Sequence, residues 1–436
     1  MKTLANFIDG KLVAPAEGIY IDSLNPATGE VNGKVPDSTA KDVNLAVEAA
    51  NRAFPSWSKT TRAYRSALMI KVADLLEQKL EEFALEESKD QGKPVSLART
   101  VDIPRAIYNF RFFANSILNR HEKATELDGI ALNYVHRTSA GVAGLISPWN
   151  LPLYLLTWKI APAMAAGCTS VCKPSEFTSV TAWMLCSILN EAGVVNMVFG
   201  TGPNAGAPLV SHPDVPLISF TGGTATGELI YKAAAPLNKK LSLELGGKNA
   251  NIVFADADFD EALKTTVNSS FANQGEICLC GSRIFVEKPI FDRFTKELAA
   301  AADKLVVGNP TVTGTTTGAL VSEQHLAKVA SYIDLARAEG GTVLSGGSRV
   351  TDGALARGFF IRPTVIVGLP AIDCRVQQEE IFGPVVTVTP FDTEDEAVRF
   401  ANSTKYGLSA SLWTENGKRA HRVAQQLQVS VRGGGS

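Results

Sequence analysis

Two cysteines one residue apart, Cys278 and Cys280 in "FANQGEICLCGSR" (271–283), could be a metal site, a redox pair, core filler or a nucleophile with its neighbour. A zinc site needs about four ligands, and no histidine or second cysteine pair stands nearby to supply them. A thioredoxin-type redox couple needs C-x-x-C, and a disulfide across one intervening residue is strained. What remains is one nucleophilic and one structural cysteine, or two structural ones. Spacing alone does not separate these two readings.

Other residues could serve the same chemistry. Glu244 lies among leucines in "LSLELGGKN", before a Gly-Gly turn. Apolar surroundings disfavour a carboxylate's charge and raise its pKa, which suits a base acting near neutrality. Strand alternation turns Leu243 and Leu245 away from Glu244, so an edge-strand glutamate facing water is equally open. "KPSE" brings Lys173 and Glu176 to a strand end, as a solvated turn or as a nucleotide contact. A glutamate there accepts from ribose hydroxyls and repels a 2′-phosphate, which favours NAD over NADP. No intact G-x-G-x-x-G exists: "GTGPNAG" (200–206) and "GGTATG" (222–227) both depart from its spacing. Either stretch is a tight turn or a phosphate cradle. Gly222, Gly223 and Thr224 open a helix, whose N-terminal N–H groups and dipole favour a pyrophosphate.

The elements that must position these groups alternate between β-rich runs and helical patterns, which predicts parallel α/β architecture. "AGVAGLISPWN", "CTSVCKPSE", "VVNMVFGTG" and "PLISFTGGTATGELIYKAAA" give four strand-turn-helix units between residues 141 and 235. They predict a doubly wound sheet, with helices from about Leu153 and over 179–193. Ligands of such sheets lie beyond the carboxyl ends of the strands, where these turns fall. Residues 41–120 read as mainly helical, with apolar steps of three and four in 42–58 and 67–90. A second α/β region is expected from Leu245, with strands in 249–255, 282–288 and 380–391.

At 436 residues the chain exceeds one hydrophobic core, so two or three domains are expected. Lys plus Arg number 42 against 44 Asp plus Glu, which lacks the basic excess of a nucleic-acid binder. The apolar run 151–167 is interrupted by Lys159 and two prolines, so it reads as a buried helix rather than a membrane span. The N-terminus carries no secretory pattern. Six scattered cysteines make no disulfide framework, which points to a reducing cytoplasm.

Taken together, "SPWN", "KPSE", "FTGG", "ELGGKN", "FANQGEICLCGSR", "GFFIRPTV" and "EEIFGPV" resemble the aldehyde dehydrogenase superfamily, in its order and spacing. The resemblance runs from "NFIDG" (6–10) to "QQLQ" (425–428). "ESKDQGK", "ARTVDIPRAIYNFRFFA" and "NQGEICLC" are most similar to the 2-aminomuconic semialdehyde dehydrogenases of tryptophan (kynurenine) catabolism. The resemblance implies an NAD-binding domain over 1–120 and 140–244, oligomerisation strands over 121–139 and a catalytic domain over 245–436. It also implies dimers or tetramers, NAD as cofactor, no metal, and a small-molecule aldehyde as substrate. That substrate would be 2-aminomuconate 6-semialdehyde, with retinal and other aldehydes as alternatives.

The family pattern N-Q-G-x-x-C implies that Cys278 is the nucleophile and that Cys280 packs beside it. Asn150 and the Cys278 N–H match the oxyanion hole, and Glu244 matches the base. Lys173 and Glu176 match adenosine-ribose contacts, and Gly223 and Thr224 match pyrophosphate contacts. Glu380 and Phe382 match the nicotinamide-ribose and nicotinamide contacts, and Trp149 lines the same region. Arg105 falls where the family's substrate tunnel runs, so it would bind a substrate carboxylate, against the alternative of an exposed surface arginine.

The sequence also departs from the family. Gly223 replaces a serine, Cys168 replaces an asparagine, and "NEAGVVNMVFG" lacks a proline-glycine insert. After "QQLQ" the chain closes in "VSVRGGGS", without the family's next strand, anchoring loop and final oligomerisation strand. This predicts a catalytic sheet that lacks a strand, and a chain that is poorly active or unstable alone, assembling once that segment is restored. A truncated, non-catalytic relative that binds nucleotide or a full-length subunit is the alternative.

Overall fold

The structure is a computed structural model and describes residues 2–435 other than 190, 192 and 371. The chain forms two compact units, one from residues up to 24, 31–90 and 96–244, the other from 25–30, 91–95 and 245–436.

In the first unit a seven-stranded sheet is built from β1 (Asn6–Ile8), β2 (Lys11–Val13), β3 (Val142–Ile146), β4 (Thr169–Lys173), β5 (Val195–Met197), β6 (Leu217–Thr221) and β7 (Lys240–Glu244). Its order is β7-β6-β3-β4-β5-β1-β2. The first five are parallel, and the N-terminal hairpin adds antiparallel strands beside β5. β3 and β4 are buried at every residue, as parallel strands covered on both faces must be.

The helices follow the apolar spacing closely. The expected helix over 42–58 spans Ala40–Trp57, opened by a capping box between Thr39 and Asp42. The expected run over 67–90 divides at Lys79 into Arg62–Gln78 and α1 (Leu80–Gln91). α2 (Ile103–Leu118) and α3 (Pro152–Ala165) pack on the same core, and Leu153, Leu156 and Ile160 of α3 are buried in it. α4 (Val180–Cys186) is shorter than the expected 179–193, and the end of that stretch includes residues 190 and 192, outside the described residues. α5 spans Thr224–Ala234. Residues 124–127 and 131–134 pair as an exposed antiparallel hairpin.

The second unit holds another seven-stranded sheet: β8 (Ala250–Val253), β9 (Arg283–Glu287), β10 (Thr342–Ser345), β11 (Thr364–Val367), β12 (Val385–Phe391), β13 (Ser409–Trp413) and β14 (Val431–Gly435). The order is β10-β11-β12-β9-β8-β13-β14. The strand expected within 380–391 begins only at Val385, after the Gly383-Pro384 step, which leaves Glu380 and Phe382 in a turn. One expectation is corrected here. The strand thought missing beyond β13 is present, because Val431–Gly435 pairs with Ser409–Trp413 in parallel register. Ladder hydrogen bonds need only backbone, so three glycines complete it despite their low strand propensity. Residues 25–30 and 91–95 join this unit through bonds such as Phe359 N–H to the Pro26 carbonyl (2.9 Å) and Val95 N–H to the Pro310 carbonyl (3.0 Å). α6 (Glu323–Ala338), capped by Ser322, packs over β11 and β12.

Candidate active site

In the first unit the strand register brings the chemistry together. Ile146 pairs with Lys173 on one side and Phe220 on the other, and Thr221 pairs with Glu244. The carboxyl ends of β3, β4, β6 and β7 are therefore level. The chain winds outward from β3 through β4 to β5, then returns to β6 on the other side of β3. That reversal makes a crevice between the turns after β3 and β6, the usual ligand site of such sheets. Trp149 and Asn150 lie in the first turn, and Gly222, Gly223 and Thr224 in the second. Lys173, Glu176 and Glu244 lie at the neighbouring strand ends.

Asn150 is buried and Trp149 half-buried. Lys173, also buried, places Nζ 3.0 Å from a Glu176 carboxylate oxygen. Gly223 is the N-cap of α5, makes no side-chain cap bond, and a Cβ built on it would meet nothing within 4 Å. The α5 N-terminus thus opens at a residue with no side chain over it, which fits the pyrophosphate of a dinucleotide. The other glycine stretch is a buttressed turn: Thr201 donates from N–H and Oγ1 to Asp37, and Asn204 donates to the same carboxylate.

Glu244 is exposed at the end of β7, the edge strand, so the apolar burial considered for it is not found. Alternation turns Leu241 and Leu243 inward and leaves the glutamate on the open side. A buried neighbour of Glu244 showed in the sequence only as a charge interrupting an apolar run. Lys159 of α3 donates from Nζ to Ser219 Oγ at 3.1 Å, and burial pulls its pKa down to about 8, against the opposing pull of Glu244's charge. The signal was there, since one lysine interrupts an otherwise apolar helix.

Arg105, in the first turn of α2, is half-buried rather than a surface residue. Its guanidinium carbon lies 4.9, 5.4 and 5.7 Å from the ring centres of Tyr108, Tyr154 and Trp158. Its buried Nε makes no hydrogen bond among the described residues. Aromatic faces hold the fork in place while leaving donors for a planar anion.

In the second unit the cysteine loop begins with Asn273, Gln274 and Gly275 in the left-handed region, at φ 51°, 56° and 69°. A Cβ at Gly275 would overlap the Gly383 carbonyl, so only glycine fits there. Asn273 Nδ2 donates to the Glu276 carbonyl at 3.2 Å, while Gln274 accepts the Gly318 N–H and donates to the Ala319 carbonyl, both at 3.3 Å. Asn249 Nδ2 donates to the carbonyls of Cys278 (2.6 Å) and Cys280 (3.0 Å). Cys278 is half-buried, whereas Cys280 is buried and its thiol is pushed up to about 12.

Cys278, Glu380 and Phe382 line one cavity of about 20 Å³. Glu380 Oε1 accepts the Gly247 N–H at 2.9 Å, and burial raises its pKa. Phe382 has φ 63°, and its carbonyl lies 2.7 Å from His325 Nε2. Burial lowers His325 to about 4, so the ring is neutral at neutral pH and its Nε2–H donates to that carbonyl. Among the described residues no cluster of three or more His, Cys, Asp or Glu side chains could hold a metal, and no helix is long and apolar enough to cross a membrane.

Known proteins resemble this chain along nearly its whole length. The 2-aminomuconic semialdehyde dehydrogenase of Danio rerio is 56% identical over 98% of this chain and 89% of its own length. The 2-hydroxymuconic semialdehyde dehydrogenase of Pseudomonas sp. strain CF600 is 46% identical over 99% of this chain and 91% of its own. The crystal structure of PnpE in complex with nicotinamide adenine dinucleotide superposes with a TM-score of 0.96, at 41% identity, covering 99% of this chain and 89% of that one. Residues 13–432 match the aldehyde dehydrogenase family. With this fold and this agreement over nearly its whole length, the chain belongs to the aldehyde dehydrogenase family, a family of enzymes.

Proposed function

We propose that this chain oxidises a carboxylate-bearing aldehyde to the acid with NAD, the substrate being 2-aminomuconate 6-semialdehyde of tryptophan catabolism, in the cytoplasm and as a homo-oligomer. Arg105 carries the reading. A half-buried guanidinium held by three aromatic rings, with donors to spare, suits a planar conjugated carboxylate and does nothing for a neutral aldehyde. The relatives named for muconic semialdehydes support the same substrate class.

The roles follow from chemistry. The Cys278 thiolate adds to the aldehyde carbon and forms a thiohemiacetal. Asn150 and the Cys278 N–H donate to the oxyanion; losing such a donor costs roughly 10²–10³ in rate. Lys173 and Glu176 hold the adenosine ribose, Gly223 and Thr224 the pyrophosphate, and Glu380, Phe382 and Trp149 the nicotinamide end. When bound, NAD supplies an acceptor for hydride. Glu244 takes a proton from the water that cleaves the acyl group from Cys278, and its exposure lets it return that proton to solvent.

Comparing kcat/KM for a carboxylated and a neutral aldehyde tests this. Arg105→Met lowers the first by about 100-fold, as loss of a charge-assisted pair should, and leaves the second within a few-fold. Equal losses on both substrates would remove the carboxylate-binding role.

A further inference from the structure

We propose that Glu276 is a positioning residue for the Cys278 thiol, an inference that rests on Cys278 being the nucleophile. Its carboxylate ties the thiol loop to Gln91 and Val321 and stands beside His325, which reaches the Phe382 carbonyl.

Glu276 is wholly buried, two residues before Cys278. Gln91 Nε2 donates to it at 2.7 Å, the Val321 N–H at 3.2 Å and Gln274 Nε2 at 3.5 Å. The Gln91 side-chain oxygen is taken by the Lys93 N–H at 3.0 Å, which fixes its amide with the donor side towards Glu276. His325 Nε2 stands 3.7 Å from Oε1, the oxygen that accepts the Val321 N–H, and reaches the Phe382 carbonyl. Left-handed turns at non-glycine residues persist only when their surroundings over-determine them. Glu276 directly follows such a turn and grips Gln274, one of the two strained side chains, as well as the segments behind it.

Three donors meet this side chain, so its ionised, acceptor-only form fits them best. A glutamine in its place would turn an NH₂ towards Gln91, Gln274 or Val321 and leave buried donors facing each other. The charged and titratable groups facing the carboxylate are Lys93 from residues 91–95, His325 from α6, and Cys280 from its own loop. Burial outweighs the pull of Lys93 and of the hydrogen bonds and lifts the Glu276 carboxyl to about 8. As pH rises through that value the ionised acceptor forms and the loop tightens. The reactivity of Cys278 therefore follows an ionisation additional to that of its own thiol.

The test measures alkylation of this chain by iodoacetamide across the neutral range, with Cys278→Ser as the blank and thermal melts as the check on folding. Glu276→Gln slows Cys278 labelling roughly 10- to 100-fold, the usual effect of a small misplacement, and removes one ionisation from its pH profile. Gln91→Leu, which deletes the nearest donor, slows labelling in the same direction and decides the matter if Glu276→Gln does not fold. Labelling at the wild-type rate with the wild-type pH profile, in Glu276→Gln or failing that in Gln91→Leu, overturns the positioning role alone. Undiminished labelling of Cys278→Ser overturns both the nucleophile and the residue said to position it.

Discussion

Cys278 and Cys280 share one loop and one side-chain partner, Asn249, yet they sit in different surroundings. Burial pushes Cys280 up to about 12, so almost none of it is thiolate near neutrality. Half-buried Cys278 borders the cavity that also holds Glu380 and Phe382. Cys280→Ala is therefore expected to keep NADH formation within a few-fold of wild type, whereas Cys278→Ala abolishes it; loss of turnover in the first variant with retention in the second would reverse the assignment. Residue types were readable in the sequence, but surroundings were readable only in part. The spacing of the two thiols left their roles open, and the family pattern, not the spacing, distinguished them. Glu244 looked buried or exposed depending on which leucines shared its face, and the edge position of β7 decided for exposure. Lys159 stood in plain view as a charge in an apolar run. Its proximity to Glu244 depends on the pairing of β6 with β7, which no local pattern encodes.

At the scale of elements, two carboxylates of α1 secure the helices that follow β3 and β4. Glu87 accepts the Leu153 N–H at 3.0 Å in the first turn of α3, and also accepts the Thr181 hydroxyl. Asp90 accepts the Val180 N–H at 2.8 Å, at the start of α4, and the Ser23 hydroxyl at 3.0 Å. Both acids fill the role of a cap from a distant part of the chain, since neither helix carries a side-chain cap of its own. "EESKD" reads as helix in the sequence, but partners some 66 and 90 positions away do not. Burial lifts Asp90 from 3.8 to about 7, outweighing the hydrogen bonds that favour its anion. A raised folded-state pKa gives stability that is complete below 3.8 and lost as pH rises through about 7. Asp90→Asn keeps an acceptor for Val180 and cannot ionise. Its melting temperature should exceed that of wild type above about pH 7, and the gap should narrow as pH falls. Parallel melting curves for the two proteins across that window would show that Asp90 carries no such linkage.

For the whole molecule, composition argued against a bulk basic surface and named no partner. A formal net charge of −2 offers no field for nucleic acid and little repulsion between copies. The alternation of strands and helices was legible because parallel strands leave long apolar runs. β14 was legible only as a β segment starting near Val429, because its three glycines carry no strand signal and are held there by the ladder along β13. The hairpin over 124–134 presents the clearest surface for a second copy. Ile130 is 86% exposed, Tyr134 70% and Leu132 65%, and Leu132 and Tyr134 point to the same face. Apolar side chains this open on a two-stranded sheet with bare edges are costly for a lone subunit and useful at a symmetric contact. Ile130→Asp combined with Leu132→Asp removes little packing within the subunit, so melting should change little while the sedimentation coefficient falls to that of a smaller species. If wild type already sediments as a monomer, or if the double variant sediments like an oligomeric wild type, this hairpin does not join the subunits.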